Sequence, residues 1–550
     1  MKYQISVFAI LIIWIYGSKA HANDISVTNV DLSATPNTAL DYTTVIFDVD
    51  WSNSWRTNVG PNNWDAAWIF VKYRLKNSIE WKHATLNWTD GTGTGDGHTV
   101  PAGAVISSAD DTGAGGSKGV FIYASAVMAQ GSVNYTGVEL RWNYGVDGLA
   151  DDDRVEVAVF AIEMVYVPSG SFYLGDGNTT IIGQFRIQAS NTPFQITSEN
   201  ALNLGGGGVS DLHNNNASGM TTPDDFNDAT MRVLPATFPK GVNAYYMMKY
   251  EISQEQYVEF LNRLTRAQQA QRFASTTVGN FMHSGGAQTT PANRNSIKLM
   301  SDPGVLDLRI YGNDLNDNDA AGEVGDGQNI AANWMSSIDL LAYLDWSGLR
   351  PMTELEYEKA ARGTGSAVPG EYAWGSTVIQ GATGISNGGA SNEVASNAGA
   401  NTVYNNAGGV SGPMRVGNFA QAATTRLQAG AGYYGIMELS GNVWEDVVTV
   451  GSVAGRSYTG LHGNGVLNAN GQADVDFWPG INGNSTAGNA NGAYGGATGC
   501  TGSAGISFAG GTWNNSVWMT TSDRSYRGAG WTGINGRDVR NGGRGVRTAP

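Results

Sequence analysis

At 550 residues the chain exceeds one ordinary core, and with 41% hydrophobic and 10% aromatic residues it has enough apolar mass for two domains or one large one. A net charge of -16 excludes a nucleic-acid partner, because phosphate binding needs clustered Lys and Arg. The 75 glycines follow no fixed period, which excludes a collagen-like chain and points to a loop-rich fold with many positive-φ turns.

In chain order, Lys2 precedes an apolar run from Ile5 to Tyr16, which ends before Ala20-His21-Ala22. A charged start, a short apolar core and a small-x-small site predict a signal peptide over 1–22, and hence a protein of the periplasm, cell surface or medium. Its removal takes two lysines and leaves a charge of about -18. No later apolar stretch reaches spanning length, so no transmembrane anchor is expected. The single Cys500 excludes an intrachain disulfide framework.

Over 23–160, alternating or continuous apolar runs predict strands at 44–51, 68–73, 119–123, 138–142 and 154–159, an all-β, sandwich-like domain. Asp147 to Asp153 holds four aspartates, read as a solvated turn in preference to a calcium loop. From 161 to 550 the texture changes. Ser253 with Gln256, Ser336 with Asp339 and Thr353 with Glu356 predict three helix starts. Behind them Tyr257, Phe260, Leu261 and Leu264, then Ile338, Leu341 and Ala342, then Tyr357, Ala360 and Ala361 face inward, and Gly363 closes the third helix. The acids between Asp314 and Asp326 copy an EF-hand only in charge, since Asp319 stands where that loop requires glycine.

Seven motifs then come in a telling order: Met164–Phe172, Tyr250–Tyr257, Leu349–Gly363, Tyr372–Gly375, Tyr434–Glu445, Gly510–Trp513 and Gly545–Arg547. In that order they resemble the formylglycine-generating enzyme, or sulfatase-modifying factor, family. The resemblance implies an α+β, irregular, loop-rich, C-type-lectin-like fold for 161–550, and it does not reach 23–160.

The family's enzymes oxidise a substrate cysteine with oxygen, using Cu(I) held by two thiolates that lie two and seven residues after the motif's tryptophan. Counted from Trp513, those positions are Asn515 and Thr520. Amide and hydroxyl do not replace soft thiolates, so no catalytic residue and no copper are expected. The mature chain's histidines, His83, His98, His213, His283 and His462, show no clustered spacing for zinc or iron. A structural calcium is implied by the resemblance, through the Glu438 and Glu445 side chains and the Gly441 and Val443 carbonyls. The alternative is two solvated or capping carboxylates.

Residues 512–547 carry six arginines against two acids, a local charge of +4. Arg524 and Arg547 match arginines that the family buries. Trp518, Arg527, Trp531 and Arg537 are left as the expected exposed ligand-binding set, suited to an acidic glycan, peptide or protein partner. The leading reading is a non-catalytic, exported binding or surface protein. Two others stand beside it: a family enzyme with altered chemistry, and a diversified receptor like the variable proteins of retroelements, with variation confined to 514–540.

Overall fold

The computed structural model describes residues 25–188, 190–215, 219–273, 275–283, 288–305, 307–406, 409–421, 423–479, 505–528 and 537–550. The expected signal segment 1–22, Cys500 and Trp531 lie outside the described residues.

The N-terminal part contains β1 (Ser26–Leu32), β2 (Thr43–Arg56), β3 (Asp65–Leu75), β4 (Lys82–His83), β5 (Leu86–Asn87), β6 (Ala104–Ser107), β7 (Gly116–Ser117), β8 (Val120–Ala124), β9 (Met128–Trp142) and β10 (Val155–Val167). On β2 the buried Val45, Phe47, Val49 and Trp51 alternate with half-exposed neighbours, the period of a strand with one wet face. That sheet runs β1-β2-β9-β5-β7.

The facing sheet differs in kind. From Asp65 to Tyr73 every residue of β3 is buried, so both of its faces are covered. Ala67, Ile69, Val71 and Tyr73 share a core with β2 and β9, whereas Ala66, Trp68 and Phe70 pack against the C-terminal two-thirds of the chain. Residues 160 and 161, where a domain boundary was expected, fall inside β10. That strand pairs with β3 through Val155–Val165 and with the strand Tyr245–Met248 through Met164–Val167. Val546–Thr548 adds to the edge of Tyr245–Met248, so one sheet holds residues from both segments.

Side chains reinforce this shared sheet. Trp68 Nε1 donates to the Ser347 carbonyl at 2.8 Å. Lys72 Nζ donates to the carbonyls of Trp346 at 2.6 Å and Gly465 at 2.8 Å. Lys249 Nζ reaches Asp65 at 3.1 Å and Glu163 at 2.9 Å, with all three side chains buried. Arg547 lies over Trp68 and pairs with Asp111.

The rest of the chain is mixed and strand-rich with few helices, an α+β arrangement dominated by loops. The three expected helix starts hold: α1 (Gln254–Leu261), α3 (Ser337–Trp346) and α4 (Glu354–Arg362) each begin at a reciprocal capping box. Gly363 caps α4 at φ 79°, and a Cβ there would meet the Tyr433 ring at 2.2 Å. Among the described residues three helices were not foreseen: α2 (Arg266–Arg272), which starts at a capping box of Thr265 with Gln268 but carries no apolar periodicity, and the single turns Arg426–Ala429 and Val453–Arg456. The inward sets were also too small. Every residue of α3 and α4 is buried, because these helices are covered on all sides.

Candidate functional site

Three buried carboxylates, Glu251, Glu438 and Glu445, lie near enough to act on one another's charge. Glu251 lies just ahead of α1. Glu438 sits in a loop at φ 55°, followed by Gly441 at φ 99° and Asn442 at φ 64°. Gly441 is required there, since a Cβ would stand 2.1 Å from Thr402 Oγ1. Glu445 opens the strand Glu445–Val448.

Bonds fix each oxygen differently. Glu251 accepts from Asn442 Nδ2 at 2.5 Å and the Val443 amide at 3.1 Å. Glu438 Oε1 accepts from the Gly417 amide at 2.8 Å, and Glu445 Oε1 accepts Arg544 Nε at 2.6 Å. Glu438 Oε2 and Glu445 Oε2 are buried with no partner. Arg544, also buried, is the guanidinium in direct contact with this group.

The protonation equilibria follow from that shortage of positive charge. Burial lifts Glu438 to about 7 against the pull of Arg544, while Glu445 adds to the rise. Burial, then Glu445 and Glu438, holds Glu251 well above the usual carboxylate range. Glu445 is raised by burial against the same arginine. A divalent cation would relieve all three, and the two unpartnered oxygens, with backbone carbonyls in a tight loop, are donors of the hard type calcium takes. Glu251 was not singled out in the sequence, although it stands in the Tyr250–Tyr257 motif. Arg544 was counted in the basic run without a partner.

The 512–547 segment corrects the expected binding surface. Arg527 is fully buried. Its guanidinium lies over the Tyr357 ring at 4.5 Å and Nη1 donates to the Thr521 carbonyl at 3.0 Å. Arg537 is not free either: its fork grips Asp339 at 2.8 and 2.9 Å, and its side chain is 8% exposed. The reason is common to both. The carboxylates of α3 and α4 are buried, and buried charge must be paired. Arg524 forks to Asp224 and Glu354, and Arg540 to Asp538. Arg544 pairs with Glu445 and Arg547 with Asp111, so five of the six arginines are engaged inside the fold, while the Arg540 and Asp538 side chains stay 31% and 34% exposed. Trp518 keeps part of its surface at solvent, at φ 69°, packed edge-on to Tyr526 at 4.8 Å.

At the counted thiolate positions, Asn515 Oδ1 accepts from Thr512 Oγ1 at 2.8 Å, and Thr520 Oγ1 is buried without a partner. Neither residue brings a soft donor. Among the described residues, one set of three acids has ligand atoms mutually within 4.8 Å: Asp314, Asp317 and Asp319. Lys298 Nζ donates to all three at 2.7–2.8 Å, so a lysine supplies the cation there. In the 147–153 run, Asp147 accepts from Thr85 and Trp142, and Asp151 from Tyr144.

Residues 158–472 match the sulfatase-modifying factor enzyme 1-like domain, more than half of the chain. No curated protein matches the sequence. The match ends before the segment of Asn515, Thr520 and Arg544, whose assignment rests on the Gly510–Trp513 motif.

Proposed function

The chain belongs to the sulfatase-modifying factor enzyme 1-like family, and we propose that it uses this scaffold, C-type-lectin-like in kind, as an exported, non-catalytic binding protein. The observation that carries the reading is the chemistry at Asn515 and Thr520. Oxidising a thiol through Cu(I) requires a site of soft, anionic sulfur, and an amide held by Thr512 together with a buried hydroxyl offers neither softness nor charge. A fold shared with enzymes does not supply their chemistry when the donor set is gone. The partner belongs to the class of glycans, peptides or proteins.

Calcium is part of this reading, as a structural ion. Glu438 and Glu445 would hold it by their side chains, with the Gly441 and Val443 carbonyls. Glu251 is a third carboxylate beside them that fixes Val443 from behind. Support comes from the two buried, unpartnered carboxylate oxygens and from three acids facing one directly bonded arginine. The bound ion would supply charge neutralisation and nothing redox.

The deciding experiment incubates the mature chain with a sulfatase-type cysteine peptide, oxygen and copper, and reads the peptide mass. The expected result is an unchanged cysteine. Loss of about 18 Da, the conversion of thiol to aldehyde, would end the non-catalytic reading.

A further inference from the structure

Asp65 opens β3, Glu163 lies on β10, and Lys249 follows the strand Tyr245–Met248 on the other side of β10. Asp65 is paired with Val165 and Ala67 with Glu163, so Asp65 and Glu163 rise on the same face of the sheet. Lys249 Nζ reaches onto that face. It stands 3.1 Å from Asp65 Oδ2, 2.9 Å from Glu163 Oε2 and 3.1 Å from the Asn53 carbonyl, which places all three ammonium protons.

This compartment is closed to bulk water. No more than 3% of any of the three side chains is exposed, and the Trp55 and Tyr250 rings lie 5.0 and 5.4 Å from the ammonium. The two oxygens of Asp65 are held differently. Trp51 Nε1 and Lys249 donate to Oδ2, whereas Ser54 Oγ and the Trp55 amide donate to Oδ1 at 2.7 and 3.2 Å. Burial opposes the Lys249 ammonium, but Glu163, Tyr250 and Asp65 together hold it protonated well above the ordinary lysine range. The ion pair is therefore the resting state, and two opposite charges in the interior cost more than a neutral product would.

We propose that Lys249 and Asp65 condense into an intramolecular amide bond, with Glu163 as the proton carrier. The ammonium first gives a proton to Asp65 Oδ2, leaving an amine beside a neutral carboxyl group. The Nζ lone pair attacks Asp65 Cγ, and the carbonyl electron pair moves onto Oδ1, where Ser54 Oγ and the Trp55 amide meet the developing charge. Glu163 Oε2 takes a second proton from Nζ and passes it to Oδ2. The Cγ–Oδ2 bond then breaks, Oδ1 regains its double bond, and Oδ2 leaves with both protons as water. Nζ keeps its third proton as the amide N–H, Glu163 is regenerated, and the balance needs no co-reactant. A cavity of about 10 Å³ beside Glu163, lined also by Tyr250 and Gln256, has room for one water. The reacting residues are 184 apart in the chain, so the bond forms only after folding has brought β3 against Lys249.

The test is intact-mass spectrometry of the full mature chain, denatured after prolonged storage in the folded state. A mass about 18 Da below that of the sequence is expected, for the water lost, and digestion should release one branched peptide that contains Asp65 and Lys249. Lys249→Arg should keep the full mass, and Glu163→Gln should slow the loss at least tenfold. Asp65→Asn should lose ammonia in place of water, about 17 Da, a change that a merely structural role for Asp65 does not produce. Full mass in the stored wild-type chain, a deficit retained by Lys249→Arg, a deficit without the branched peptide, or an unchanged rate in Glu163→Gln would overturn the proposal. Should Glu163→Gln not fold, the wild-type mass and the Asp65→Asn product still decide it.

Discussion

Lys249 is where the sheet shared by the two segments is tied by charge, and Lys249→Met is its sharpest test. The ammonium sits between Asp65 on β3 and Glu163 on β10 at 3.1 and 2.9 Å, and it also donates to the Asn53 carbonyl at 3.1 Å. The three side chains are 3%, 0% and 2% exposed, so solvent screens almost none of the interaction. Asp65 keeps Trp51 Nε1, Ser54 Oγ and the Trp55 amide as donors, which leaves Glu163 the more exposed to the loss. Removing one partner of a buried pair costs about 3–5 kcal/mol, because an uncompensated charge stays behind. With an unfolding entropy of roughly 2.1 cal/mol/K per residue, a chain of this length unfolding as one unit would lose about 3–4 °C in Tm. Were residues 23–160 to melt alone, the same loss would shift that transition by more than 10 °C or so and leave the other unmoved. Differential scanning calorimetry of wild type, Lys249→Met and Lys249→Arg decides between these outcomes. A single peak lowered by a few degrees is expected for Lys249→Met, with partial retention in Lys249→Arg. A separate early peak, or a Tm within 1 °C or so of wild type, would refute the claim that the buried pair joins the two segments.

Chelation should lower the melting temperature, and Glu445→Gln should remove most of that response; linkage gives about 2.7 kcal/mol when free calcium is a hundredfold above its dissociation constant. A melting temperature indifferent to excess chelator would count against the ion. In calcium-free buffer, stability should fall as pH rises from the ordinary carboxylate range towards about 7, because folded Glu438 holds its proton more tightly than the unfolded chain does. Calcium should flatten that slope, as should Glu438→Gln, in thermal melts across the range. N-terminal sequencing of the protein from its native compartment should begin at Asn23, and a full-length cytoplasmic chain would contradict export.

The sequence by itself determined the local structure. Alternation at Val45, Phe47, Val49 and Trp51 and the capping boxes at Ser253, Ser336 and Thr353 are signals over a few residues, and each appears where its pattern lies. Motif order was equally legible, and the domain match over 158–472 agrees with it. Pairing across long separations was not. That β10 would run unbroken through residue 160 depends on partners 80 to 100 residues away, and that Val546–Thr548 would close the same sheet depends on partners about 300 residues away. Charge was misjudged for the same reason. Six arginines in one stretch read as a basic surface, yet Arg527 lies over Tyr357 and Arg537 is spent on Asp339, partners well over a hundred residues away. A charged side chain has no fixed address in a sequence. Its place is set by which opposite charge the fold buries beside it, because an unpaired charge in the interior costs more than the packing around it returns.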